Sequence, residues 1–117
     1  MPVSEWRLLL AGHLDEAVAA ATERIAERPR DSIGYTNRGL IYLVQRRFPE
    51  ASADFQQVIA IRPNSEHGFE LYGACQWLQG ERAEAIATWE KLLKVHPEYV
   101  DRQKVLDMIK VAKSQAS

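Results

Sequence analysis

The sequence predicts an all-α protein built as a row of helix pairs, and three observations carry that prediction. Marker residues recur at one interval: Gly39 and Gly73, Ala51 and Ala85, Phe55 and Trp89, Pro63 and Pro97, and Tyr35 and Phe69 each stand 34 residues apart. A period of that length marks one supersecondary unit stacked on its neighbours. Within a unit the spacing is helical: Tyr35, Gly39 and Tyr42 fall at i, i+4 and i+7, where a strand would need alternation by two. Prolines and glycines then punctuate the chain where helices should start and stop.

The elements follow in order. Ala17 and Pro29 lie one further interval upstream of Ala51 and Pro63, so a degenerate first unit occupies about residues 1–31, with Ser4 opening a helix, Gly12 breaking it and Pro29 ending the next. In the second unit, about 32–65, Ser32 is expected to cap a helix running to about Gln45. Pro49 opens its partner, since a missing N–H costs nothing in a first turn, and Pro63 ends it. The third unit, about 66–99, repeats this with Ser65, a Gly80 break and Pro97, and a last amphipathic helix covers about 98–114. Gly39 and Gly73 each cost about 1 kcal/mol of helix propensity. A packing role explains them: without a side chain, the first helix of a pair can approach the second closely, with Ala51 and Ala85 expected opposite and Phe55 and Trp89 filling the far end of the crossing.

The bulk composition excludes several function classes. At 117 residues and 46% hydrophobic, the chain is one domain able to bury a core without disulfides or a structural metal. A formal charge of −1, from 15 basic and 16 acidic residues, leaves no net pull on a phosphate backbone, and the longest basic cluster is Arg46-Arg47. No nucleic-acid partner is expected, although YTNRGLIY, residues 35–42, echoes the Arg-Gly-aromatic string of RNA-recognition sheets. Neither a basic leader nor an apolar run of about 18 residues occurs, so a cytoplasmic protein with no membrane contact is expected. Cys75 is the single cysteine, mid-helix beside Ala74, and reads as a buried thiol.

Chemistry has no candidates. His13, His67 and His96 share no helix face at metal-ligand spacing, and HExxH, CxxC, GxSxG and a glycine-rich phosphate loop are all missing from the sequence. Asp15-Glu16 and the pair Glu81/Glu84 read as helix-start carboxylates that stabilise exposed N–H groups. No catalytic residue, metal or cofactor is therefore expected.

These residues resemble the tetratricopeptide repeat, whose unit carries an aromatic, a Leu-Gly pair, a Tyr, an Ala, a second aromatic and a Pro. The second unit offers Tyr35, Gly39, Tyr42, Ala51, Phe55 and Pro63, and the third Phe69, Gly73, Ala85, Trp89 and Pro97. The first departs: Met1, Glu5 and Ala21 stand where an aromatic, the glycine and the second aromatic belong, and only Leu8, Ala17 and Pro29 conform. Arg38 stands where a Leu is usual, and Gln76 where a Tyr is. The resemblance implies a right-handed superhelical array of antiparallel helix hairpins with a C-terminal capping helix, first helices lining a concave groove. It also implies a non-enzymatic adaptor or scaffold that binds a protein or peptide.

In the implied register the groove residues are Trp6, Thr36, Asn37, Leu40, Leu43, His67, Glu70, Ala74 and Trp77, mostly apolar, with Ile33, Val44 and Leu78 beside them. They suit an apolar peptide or an amphipathic helix; equally, Leu40 and Leu78 could pack between neighbouring first helices. Chaperone-binding members clamp a terminal carboxylate with a lysine, two asparagines and two further basic residues; here Asn37 holds one such place, but Pro2, Trp6, His67 and Leu71 hold the others. Without those cations the charge-assisted bonds of the clamp are missing. The last helix gathers Val105, Leu106, Met108, Ile109 and Ala112 on a wide apolar arc. It reads either as a cap wet on its outer side or, through Met108 and Val111, as a contact that docks a second copy in a homo-oligomer or a downstream segment. A self-associating module and an assembly or regulatory subunit of a larger complex are the alternatives to an adaptor.

Overall fold

A computed structural model describes the backbone of residues 3–116 and the side chains of residues 10–115. Six helices follow one another with no strand among the described residues: α1 Val3–Glu27, α2 Ser32–Val44, α3 Phe48–Ile61, α4 Glu66–Leu78, α5 Arg82–Val95 and α6 Arg102–Ala116. Each helix packs on the next, making the curved ribbon of a repeat array.

Two full hairpins, α2–α3 and α4–α5, occupy the second and third units. Their turns are built alike: Arg46 (φ 60°) and Gly80 (φ 82°) take the left-handed conformation at equivalent positions, reversing the chain in a few residues. Pro49 sits in the first turn of α3, as expected. Ser65 caps α4 by accepting from the Gly68 N–H at 3.0 Å. At α2 the cap is Asp31 and not Ser32; the Asp31 carboxylate accepts from the Ile33 N–H at 3.0 Å and from Arg24 of α1 at 3.0 Å. Those two bonds, the backbone one first, hold the Asp31 carboxyl below its usual range.

The first unit is not a hairpin. Gly12 is the equivalent of Arg46 and Gly80, yet α1 runs through it as one helix of 25 residues, so the expected break after Ser4 is absent. A glycine permits a turn without forcing one, and at Gly12 the chain stays helical where at Gly80 it takes the left-handed conformation. Asp15 and Glu16 consequently lie inside α1 and not at a helix start. At the other end, α6 begins at Arg102 and not near Glu98, because backbone bonds from Tyr99 to His96 and from Arg102 to Tyr99 spend that stretch in turns.

Two clusters make up the core. One joins Ala51, Phe55, Val58 and Cys75 between the hairpins; the other joins Phe69, Ala85, Trp89 and Leu92 to Tyr99, Val105, Ile109 and Ala112 of the C-terminal segment. The glycines do permit close packing, but what they admit is the aromatic ring itself: a Cβ on Gly39 would lie 2.8 Å from Phe55 and one on Gly73 2.2 Å from Trp89. Phe55 and Trp89 thus stand directly opposite the glycines and not at the far end of the crossing. Arg38, out of pattern in the sequence, forms a two-bond fork with the buried Asp54 carboxylate at 2.9 and 2.7 Å and reaches Thr22 of α1 at 3.2 Å. That fork keeps its guanidinium charged.

Candidate functional site

Two open clefts border the first helices of the hairpins. The C-terminal one, about 740 Å³, lies between α4 and α6. Trp77, Ala74 and Leu78 come from α4, with Trp89 behind them; Met108, Val111 and Ala112 face them from α6; Lys104, Asp107 and Gln115 supply the polar edge. Helical spacing explains the convergence, since Ala74, Trp77 and Leu78 share one face of α4 and Lys104, Met108, Val111 and Gln115 one face of α6. Trp77 is half-buried, its ring 6.2 Å from that of Trp89 and covered on one side by the Arg82 guanidinium at 4.7 Å. Leu78 and Val111 are 52% and 53% exposed at the lip.

Polar ties join α4 to the C-terminal segment beside the cleft. Tyr99 donates its hydroxyl proton to the Glu70 carboxylate, and Lys104 reaches the same carboxylate at 3.2 Å. Burial first, and then the bond to Glu70, pushes the Tyr99 hydroxyl well above its ordinary range, so it remains a donor. Lys113 pairs with Glu90 at 3.1 Å and fastens α6 to α5.

The second cleft, about 750 Å³, lies between α1 and α2 and is more polar: Asn37, Leu40 and Ile41 form one wall, Ala17, Ala20, Ala21, Arg24 and Arg28 the other.

The expected groove residues therefore do not share one site. Ala74 and Trp77 line the C-terminal cleft; Asn37 and Leu40 line the other. Leu43 packs on the core cluster around Phe55. Thr36 donates to the Ser32 carbonyl at 2.9 Å, Glu70 is engaged by Tyr99 and Lys104, and His67 is exposed. Trp6 lies outside the described side chains. The α6 side of the C-terminal cleft was missing from the expected groove; the signal for it was the three-to-four-residue recurrence of Lys104, Met108, Val111 and Gln115 in the last helix.

Among the described residues no group of three or more His, Cys, Asp or Glu could hold a metal ion, and Cys75 is fully buried, its thiol pushed up to about 11 by desolvation. No described helix is long and apolar enough to cross a membrane.

Comparison with known proteins agrees with the hairpin geometry. Tetratricopeptide repeat models match residues 32–65 and 71–99, together more than half of the chain. The chain belongs to the tetratricopeptide repeat family. Among solved structures, this tetratricopeptide repeat chain is similar to the TPR2B domain of yeast Sti1, solved as a pHsp70 complex, with a TM-score of 0.79 and 26% identity over 95% of this chain and 90% of that one. It is similar in fold to the first TPR of Spaghetti (RPAP3), solved with an HSP90 peptide, at a TM-score of 0.77 and 22% identity over 95% and 86% of the two chains. A thermophilic TPR protein of Thermus thermophilus shares the fold at a TM-score of 0.75 and 22% identity, over 87% of this repeat chain and 50% of that protein. No curated protein matches it significantly over its sequence.

Proposed function

We propose that this chain is a non-enzymatic protein-interaction module, and that the cleft between α4 and α6 receives apolar side chains of a partner peptide or amphipathic helix. The observation that carries this reading is Trp77: a large amphipathic ring kept half-buried at the mouth of a cleft whose lips, Leu78 and Val111, stand in water. A contiguous apolar surface rimmed by polar groups is the feature that distinguishes an interaction site from scattered surface leucines. Trp is also the residue type most enriched among those that dominate interface energies. Solved relatives carry peptides of Hsp70 and Hsp90, which supports peptide recognition as the general activity.

The chemistry of the ligand differs from an acidic chaperone tail in this reading. Of the positions where a carboxylate clamp would place cations, His67 is exposed and Leu71 packs on the core. The cleft's own cation, Lys104, is paired with Glu70. The test uses peptide display on the immobilised domain, followed by titration of the enriched peptides. Enrichment of apolar residues at i, i+3 and i+4, with affinity lost in Trp77→Ala and retained in Leu40→Ala, is the expected result. Selection of acidic C-termini, or binding indifferent to Trp77→Ala, would refute it.

Val111 and Met108 also favour a second occupant, the α6 of another copy, because both lie on the described face of α6 and one is exposed. Light scattering on Val111→Glu separates the two: loss of a dimer identifies self-docking, and an unchanged mass leaves the peptide reading.

A further inference from the structure

The part of α1 after Gly12 lacks the neighbour that its counterparts have. One interval downstream, Ala17, Ala20, Ala21 and Arg24 correspond to Ala51, Asp54, Phe55 and Val58, all of them buried at 0–3% exposure. In α1, Ala20 is exposed, Ala17 and Arg24 are half-buried and only Ala21 is buried, at 6% exposure, and together they floor the cleft of about 750 Å³ beside α2. The Arg24 Nε is buried there without a hydrogen-bond partner. In the second and third units this place is filled by the unit's own first helix, which puts Gly39 on Phe55 and Gly73 on Trp89.

The chain's own first helix does not reach it. Glu5 is the register equivalent of Gly39, but in a straight α1 it lies about 24 Å along the rod from Ala21 at 1.5 Å per residue. The size pattern in the sequence is inverted to match: at the register positions that hold a glycine and an aromatic in later units, this unit has a long residue, Glu5, and the small Ala21.

The sequence of α1 carries the complement of its own open floor. Trp6, Leu10, His13, Ala17, Ala20 and Arg24 alternate at four- and three-residue spacing, the seam of a paired helix. The bulky apolar residues, Trp6 and Leu10, lie before His13 and the small ones, Ala17 and Ala20, after it. Two such helices laid antiparallel about His13 would set each bulky half on the other's small half. Leu10 is 58% exposed, the His13 side chain 66%, and Ala20 is exposed, so these seam positions are uncovered in the single chain. Nothing lies within 4 Å of a Cβ built on Gly12, leaving the crossing point clear for close approach.

We propose that a second copy of this chain completes the first unit. Two α1 helices pair antiparallel about a two-fold axis near His13, and residues 3–11 of each copy lie in the cleft formed by α1 and α2 of the other. The interface is isologous and closes at a dimer.

The test is the mass of the full chain by light scattering from micromolar to submillimolar concentration, together with cross-linking at the axis. In a Cys75→Ser background, His13→Cys should oxidise to a disulfide dimer about ten-fold faster than Gln57→Cys, an exposed control on α3, because two copies of residue 13 would face each other. Ala20→Glu, a change at an exposed position, should return the doubled mass to that of one chain with its helical circular dichroism intact. Val111→Glu should leave the dimer alone, which keeps this proposal separate from α6 self-docking. A single-chain mass at every concentration, equal cross-linking at positions 13 and 57, a dimer surviving Ala20→Glu, or one lost in Val111→Glu would overturn the proposal.

Discussion

Replacing Gly73 with alanine should destabilise the protein, although alanine is the better helix former, and the sign should reverse once Trp89 is cut back. Gly73 lies inside α4, where alanine would gain about 1 kcal/mol of helix propensity. Its Cβ, however, would lie 2.2 Å from the Trp89 Nε1 and 2.6 Å from Cδ1, well inside van der Waals contact. Trp89 has little room to yield, being 4% exposed and holding the Glu70 carbonyl with its indole N–H at 3.3 Å. Overpacking of this kind costs about 1–3 kcal/mol, and losing the indole bond adds about 1 kcal/mol. The net expectation is a loss of about 1–3 kcal/mol, or roughly 4–12 °C in Tm for a domain of this size. In a Trp89→Leu background, itself less stable, the obstruction is gone and Gly73→Ala should stabilise by up to about 1 kcal/mol. Urea unfolding followed by circular dichroism on the four proteins measures both effects. Equal effects of Gly73→Ala in the two backgrounds would refute the pairing of glycine with the aromatic ring.

Further outcomes follow from the same coordinates. Arg38→Leu leaves the Asp54 carboxylate, only 4% exposed, without its guanidinium and should cost about 3–5 kcal/mol in urea unfolding, most of it recovered in Arg38→Leu with Asp54→Ala. Cys75, its thiol raised to about 11, should react with a disulfide reagent at pH 8 only after denaturant is added, so rapid native-state labelling would contradict its burial. The carboxyls of Asp31 and Glu50 are both lowered, the first by the Ile33 N–H and then Arg24, the second by Arg47. Their contribution is present above the unfolded-state values near 4 and is lost as pH falls through the lower folded values, so the acid side of a Tm profile should flatten in Asp31→Ala with Glu50→Ala. An acidic peptide ending in EEVD should show no heat of binding by calorimetry, given that His67 and Leu71 stand where the clamp needs cations.

The hairpins were legible in the sequence because their determinants are local and repeated. Gly39 with Phe55 and Gly73 with Trp89 sit at matched intervals, and Pro49, Ser65 and Gly80 act within a turn of where they stand. What was not legible depends on partners distant in sequence. Glu70 belongs to the groove face by register, yet Tyr99 and Lys104 engage it from the closing segment, and no repeat rule specifies that segment. Arg38 was a departure with no visible reason until Asp54, 16 residues on, appeared as its buried counter-charge. The expected groove divided for a related cause: α6 supplies half of one cleft, and α1, running straight through Gly12, reshapes the other.

The first and last described helices are covered differently, and this asymmetry links the fold to both proposals. A stacked unit cannot bury its core face alone, so the outermost helices need a cover. At the C-terminal end α6 supplies it, burying Val105, Ile109 and Ala112 against the third unit and held by Lys113 and Glu90. The cover is partial, since its contact face continues past the core through Met108 to Val111, and that overhang is one wall of the cleft proposed for a peptide. Beside α1 none of the described helices plays the corresponding part: the floor that later units bury is small, partly open and edged by an Arg24 nitrogen buried without a hydrogen-bond partner. A bulky first helix placed there from another copy satisfies the same packing rule that α6 satisfies within the chain. Peptide capture and self-pairing then occupy opposite ends of the ribbon, so a dimer formed through α1 leaves the Trp77 cleft of each copy free, and peptide affinity in Ala20→Glu should equal that of the wild type.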